Sequence, residues 1–561
     1  MTTQVDKVLR RADDAAARER LARLVVALVG VDTTVGPDLE RVRSGEAKAF
    51  GLIADQIERI AGSRDGMLSV PIDPRIEADP YYTPAHYTAS PEHPEPLSAA
   101  GTYRGRSNLV VRVPGQGRGT LAFNAHIDVV APFFGPRREG EVVFGRGACD
   151  DKGQCAAMVY ALELIKHAGA ACGAVPPADL LFEFVIDEEP GGNGSLSLAL
   201  DRRFAPDAMV VFEATKLAIH PGNRGAVWYR LALDGSAAPR LDLIGLAAAV
   251  VLGLEREGEA LRAESDHPLF PHRPVQTCHG VLGPWGRHPS AVNDRVEFTV
   301  IFDGAPDPER LAMAVDHAVL AYCEVYGDKT AEPDPATGKP KVDHHYDLAL
   351  QGASARLVVH GKAGHMGAVR ECDGAITKTA WIVRALEECS ELRTRGFELE
   401  SGQPVAELVL EGGQGFLPTH SLAEVTERMR RAVADAARAC CAERGFAWSP
   451  ELATMTFDKL HNDAFARDAS RPGVRAFVAA ARGAGITVPE PLRGWDVSCD
   501  ARIFAREYPE SEIITFGAGA LEHAHSDAEQ VKVGDLAAAA GALARFALTY
   551  DPSTGEARGG G

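Results

Sequence analysis

The stretch from Leu121 to Lys152, LAFNAHIDVVAPFFGPRREGEVVFGRGACDDK, holds two groups of candidate metal ligands. His126 and Asp128 sit in HIDV, and Asp150 and Asp151 sit in GRGACDDKG. Residues 121–124 form a short apolar run that predicts a buried strand. Side chains alternate along a strand, so His126 and Asp128 fall on the same side. An imidazole placed there can bind a metal while the nearby carboxylate orients it. Gly145 and Gly147 mark a turn, and an apolar helical run follows from Gln154, which puts Asp150 at a helix entrance.

Later segments carry side chains of the same kind. DLLFEFVIDEEPGGNGS predicts a buried strand that runs into Asp187, Glu188 and Glu189 and then a glycine-rich turn. AMVVFEATK predicts another, ending at Glu213, and LEHAHSDAEQ offers His523 and His525. The candidate ligands are therefore His126, Asp150, Glu188 or Glu189, Glu213, and His523 or His525. Imidazoles mixed with carboxylates suit zinc and its neighbours, not calcium. Two metals roughly 3.5–4 Å apart need one bridging carboxylate. Each then has one histidine, one terminal carboxylate and the bridge, which leaves room for water, as in catalytic rather than structural zinc sites.

The elements that must position these groups alternate between strand and helix. Helical spacing is read over 6–29, 46–60 and 154–168, with strands at SNLVVRVPG and GTLAFNAHID. This alternation predicts a largely parallel α/β sheet with its site at the strand C-terminal ends. Residues 71–102 are rich in Pro, Tyr, His and Ser, a loop long enough to cover a site. From 224 to about 450 the texture changes. The strand-like runs AVWYRLAL, RVEFTVIF, SARLVVHG and AELVLEGG are each followed by a helix-like stretch, which predicts a separate α/β layer of two similar halves. After about Thr454 the first texture returns, with helices over 472–484 and 533–548 and a polar, glycine-rich end.

With 561 residues, more than one domain is expected. The formal net charge of −19 argues against nucleic acid as a partner. Residues 1–28 show no signal-peptide pattern, and no apolar run approaches the roughly 20 residues of a membrane span. The ten cysteines are scattered without a CxxC pair, which points to reduced thiols of a cytoplasmic protein.

Together these motifs resemble the co-catalytic zinc hydrolases that include aminoacylase, bacterial glutamate carboxypeptidase, acetylornithine deacetylase, succinyl-diaminopimelate desuccinylase and the monomeric bacterial dipeptidases. The resemblance implies an α/β catalytic domain with a mainly parallel central sheet, interrupted by an enlarged α+β lid domain. Its expected parts are 1–223 and 454–550 for the catalytic domain, 224–453 for the lid, which is doubled, and 551–561 as a disordered tail. His126, Glu189, Glu213 and His525 become metal ligands, with Asp150 as the bridge between two divalent ions, most simply zinc. Asp128 orients His126, and Glu188 becomes the general base. VVHGKAGHMG resembles the family's lid motif, which makes His365, not His360, the partner of the developing oxyanion.

Gly415 stands in GGQGFLPTH where the family has an asparagine, and Asn293 is the candidate substitute. Arg370 and Arg502 are candidates for gripping a substrate carboxylate. The implied reaction is hydrolysis of an amide beside a free carboxylate in a small peptide or N-acyl amino acid, by a dipeptidase, carboxypeptidase or deacylase. The alternative is a non-catalytic metal- or ligand-binding relative, which would have lost the base or a ligand. The doubled lid pattern points to a monomer, with a homodimer as the other arrangement.

Overall fold

The computed structural model describes residues 2–557 other than 91–92, 287–288, 290, 335–337, 367–370, 400–405 and 458–460. The chain forms two compact units, Met1–Asn223 with Phe465–Gly561, and Arg224–Ala464.

The first unit is built on a six-stranded sheet in the order Met67–Pro71, Ser107–Val113, Asp179–Val185, Thr120–His126, Ala208–Phe212, Glu512–Phe516. The first two pairings are antiparallel and the remaining three parallel. The parallel strands are near-continuous apolar runs because both of their faces are covered. Ala208–Phe212 and Glu512–Phe516 are buried at every position. The register aligns their ends: His126 lies beside Val185, and Phe212 beside Phe516. The residues that follow 126, 185 and 212 therefore leave the sheet at one edge, the carboxyl edge, where open α/β sheets bind ligands.

The helix Lys152–Cys172 is buried at every residue from Lys152 to Leu162. It packs against Ala15–Val29, Leu39–Ala61 and Val533–Thr549. By length and composition alone this helix could cross a membrane, although no run of that kind is expected from the sequence. The single helix expected over 6–29 is instead two, Thr2–Ala12 and Ala15–Val29. Asp14 breaks it: its carboxylate accepts from Ala17 N at 2.8 Å, an N-cap that restarts the helix. The tail also differs from expectation. Tyr550–Asp551 pairs with Glu556–Ala557 in a hairpin, and residues 558–561 lie outside the described residues.

The second unit is antiparallel throughout its two larger sheets. One has the order Trp285–Gly286, Thr277–Leu282, Glu407–Phe416, Gly225–Asp234, Ala453–Thr456, with His461–Asn462 also on Gly225–Asp234. The other has the order Tyr346–Gln351, Ser354–His360, Arg295–Phe302, Thr394–Glu398. Helix Leu243–Glu264 packs on Leu422–Glu443 and Ala375–Glu388, and the last of these packs on Pro308–Tyr326. The first unit resumes at Phe465 rather than at 454, because residues 453–456 and 461–462 extend the first of these sheets.

Candidate metal centre

His126 closes its strand with its ring fixed from one side. Nδ1 lies 3.0 Å from the Asp128 backbone carbonyl and 3.6 Å from the Asp128 carboxylate. Both oxygens only accept, so Nδ1 carries the proton and Nε2 is the atom turned to the site. Nε2 stands 3.1 Å from Asp150 Oδ1 and 4.0 Å from Glu188 Oε2. The Asp128 carboxylate has further partners: Oδ1 accepts from Glu188 N at 3.2 Å and Oδ2 from Glu189 N at 3.0 Å. One fully buried carboxylate thus fixes both the first imidazole and the backbone of the acidic pair.

Asp150 lies between two histidines. Its Oδ2 is 3.1 Å from His525 Nε2, and His525 Nε2 is 3.1 Å from Glu189 Oε2. Glu213 follows the strand Ala208–Phe212, its backbone N–H donating to Phe516 O at 3.2 Å. Ligand atoms of His126, Asp150 and Glu213 lie within 4.8 Å of one another, and so do those of Asp150, Glu189 and His525. The two triads share Asp150. The Asp150–Asp151 peptide is cis.

Two supports of this centre lie outside the ligand triads. Glu529, fully buried, accepts at Oε1 from Gly147 N at 2.9 Å and from Cys149 N and Asp150 N at 3.3 Å, and Arg146 pairs with its Oε2 at 2.7 Å. It gathers the GRGACDD loop around one carboxylate. Behind the acidic pair, Asp187 holds a left-handed backbone, φ 57°, with its carboxylate enclosed. Arg106 reaches Oδ1 at 2.5 Å, and the hydroxyls of Tyr87 and Tyr103 donate to Oδ2 at 2.6 and 2.9 Å. Arg106 also pairs with Glu46 at 2.5 Å. Asn193 ties Tyr103 and Thr83 to the same turn at 2.7 and 2.8 Å. Residues 71–102 are therefore stitched to the turn that carries Glu188.

The electrostatics call for added positive charge. Burial pushes the carboxyls of Glu188 and Glu213 well above their ordinary range, with Asp500 adding to the first and Glu188 to the second. Glu189 is raised by burial too. Burial opposes ionisation of Asp150, but hydrogen bonds from His126 and His525 outweigh it and hold that carboxyl down. Glu189 and Asp150 raise His525 to about 11 against burial. The donors fit a pair of divalent cations: imidazoles and carboxylates in two triads, the first buried throughout and the second reaching out to an exposed His525, with the carboxylates repelling one another until cations arrive.

The other expected residues fall differently. His525, not His523, joins the cluster. Within the second unit, Gly364–His365 pairs with Ala291–Val292, so His365 sits on the strand beside the run that leads to Asn293. Asn293 is buried, and its Oδ1 accepts from Arg295 N at 2.9 Å, a turn-fixing bond. Arg370 lies outside the described residues. Arg502 is buried, donates to Gly191 O at 3.0 Å and lies 3.6 Å from Asp500, so it braces the glycine-rich turn after Glu189.

Compared with known proteins, residues 122–549 match the model described as Peptidase family M20/M25/M40. Carboxypeptidase G2 of Pseudomonas is 30% identical over 160 residues, 25% of this chain and 36% of that protein. A Peptidase M20 domain-containing protein of Schizosaccharomyces pombe is 30% identical over 133 residues, 24% of this chain and 32% of that protein. The matched stretches thus span about a third of those relatives. Human carnosine dipeptidase 1 shares the fold over 99% of this chain and 100% of its own, with a TM-score of 0.52 at 15% identity. The dipeptidase Dug1p of Saccharomyces cerevisiae does so over 99% of both chains, with a TM-score of 0.52 at 13% identity.

Proposed function

Because the chain belongs to peptidase family M20/M25/M40, we propose that it hydrolyses an amide bond beside a free carboxylate in a small peptide or N-acyl amino acid, with Glu188 as general base. The observation that carries this reading is the pair of His–carboxylate triads sharing Asp150, with Glu188 Oε2 4.0 Å from His126 Nε2 but in neither triad. His126, Glu213 and Asp150 would hold one divalent cation, and Glu189, His525 and Asp150 the other. Bound there, the cations, zinc by the donor set, would polarise the scissile carbonyl and make an attacking water more acidic.

Glu188 accepts a proton at its carboxylate as the water oxygen bonds to the carbonyl carbon. It then delivers that proton to the amide nitrogen as the C–N bond breaks, leaving an amine and a carboxylic acid whose proton passes to the amine at neutral pH. Asp128 fixes the Glu188 backbone while this happens. His365 takes the role of partner to the carbonyl oxygen, following its match to the family motif. The names of the relatives, a carboxypeptidase and two dipeptidases, support peptides as the first substrates to try. The ten scattered cysteines, with no CxxC pair among them, support a cytoplasmic setting. A single-chain sedimentation mass would support the monomer.

The test is hydrolysis of a panel of dipeptides and N-acyl amino acids by zinc-loaded protein, chelated protein, and the Glu188→Ala and His365→Ala variants. Chelation should abolish turnover. Glu188→Ala should lower kcat about 10²–10⁴-fold with zinc still bound, and His365→Ala about 10²–10³-fold. Turnover that survives chelation or the loss of Glu188 would refute this assignment.

A further inference from the structure

The second unit carries a group of metal-ligating side chains that the hydrolytic reaction does not use. His344 and Asp347 lie at the start of the strand Tyr346–Gln351, and His360 ends the neighbouring strand Ser354–His360. The register explains their meeting. Asp347 is opposite Val358, so His360 is its diagonal neighbour on the same face, within reach of a long side chain. His360 Nε2 stands 2.8 Å from Asp347 Oδ2, and His344 Nε2 stands 3.0 Å from Oδ1. The two rings meet edge to face, with centroids 4.5 Å apart. One ligand atom from each residue lies within 4.8 Å of the others.

We propose that His344, Asp347 and His360 form a third cation site, an open three-ligand site for a divalent transition ion such as zinc. Two imidazoles and one carboxylate are the donors such ions prefer over calcium or magnesium. Both Nε2 atoms already converge on the same carboxylate, so a cation would replace the two protons between them with little rearrangement. The side chains are 54%, 63% and 28% exposed, which leaves water free to complete the coordination. The bound ion would fasten the start of one strand to the end of its partner.

A neighbouring group makes the contrast. Cys323, Asp328 and His345 are as close together, but Lys378 Nζ lies 3.1 Å from His345 Nδ1. An ammonium only donates, so Nδ1 accepts and Nε2 keeps its proton, which points at Asp328 at 3.2 Å. His345 is thus engaged at both ring nitrogens, and the Nε2 that faces Asp328 and Cys323 has no lone pair to offer a metal. No such cation donates to the ring nitrogens at His344 and His360 among the described hydrogen bonds.

The experiment counts zinc equivalents bound by the full chain in competition with a chromophoric chelator. The parent is compared with His344→Gln/His360→Gln, with Asp347→Asn, and with His126→Ala/His525→Ala. The first two variants should each bind one equivalent fewer than the parent at micromolar free zinc. The His126→Ala/His525→Ala protein should keep that equivalent, so the count separates this site from the one in the first unit. Asp347→Asn preserves size and can still hydrogen-bond, which guards against a misfolded double variant. The same stoichiometry in the parent and in both second-unit variants would overturn the proposal.

Discussion

The Asp128 carboxylate serves three partners at once: the His126 ring and the backbone amides of Glu188 and Glu189. Substituting it therefore reaches both triads, although it belongs to neither. Asp128→Asn keeps the volume but turns one acceptor into a donor that faces an N–H. We expect metal affinity or kcat/KM to fall about 10–100-fold, the usual cost of losing a residue that orients a ligand. Chelator competition and steady-state kinetics check this, and a variant with the parent's affinity and rate would refute the orienting role. His126, Asp150, Glu213 and the terminal histidines were legible because metal chemistry restricts ligand types, and each sits at a strand or loop end. Glu529 stands in LEHAHSDAEQ as one acidic residue among several, with nothing local to mark its role. The amides it serves lie some 380 positions earlier in the chain, a relation no local pattern expresses.

At the level of elements, the buried parallel strands were legible as continuous apolar runs, and the helices of the second unit as periodic ones. The exposed edge strands of the second unit were not. Tyr346–Gln351 is exposed at alternate positions and beyond, so its composition resembles a loop. Residues 71–102 mislead in the other direction: loop composition is right, but the loop is anchored. Tyr87, Thr83 and Arg106 bind it to Asp187 and Asn193, next to the proposed base. Arg106 is fully buried between Glu46 and Asp187, and breaking a buried pair by removing one partner leaves an uncompensated charge. We expect Arg106→Met to cost about 3–5 kcal/mol, and Tyr87→Phe about 1.5–3 kcal/mol. Chemical denaturation measures both. The loop's link to the turn adds that Tyr87→Phe should lower kcat more than it raises KM. A destabilised Tyr87→Phe with full kcat would make the network structural only.

Across the whole molecule, an acidic chain buries carboxyls whose burial outweighs whatever partner they have, and this sets how its stability responds to pH. Glu183 lies in the middle of the central sheet, on Asp179–Val185, beside Asn124 on the neighbouring strand. Burial raises its carboxyl to about 8, against an opposing hydrogen bond from Asn124. Burial likewise raises Glu46 to about 7, against the pull of Arg106. In the unfolded chain both ionise near the ordinary glutamate value, about 4.3. Between that value and 7 to 8 the folded state holds protons that the unfolded state has released. Stability from these groups is therefore fully present in acid and is lost as pH rises through 7 and 8. Glu183→Gln removes one of the two titrations while keeping the shape and the acceptor for Asn124. In chelator, so that cation binding does not enter, the parent's Tm should fall between about pH 5 and pH 8.5, the window set by these values. The variant's Tm should fall less and exceed the parent's at the alkaline end. Parallel profiles for the two proteins would mean that Glu183 is ionised in the folded state at neutral pH, and that the sheet tolerates a bare carboxylate at its centre.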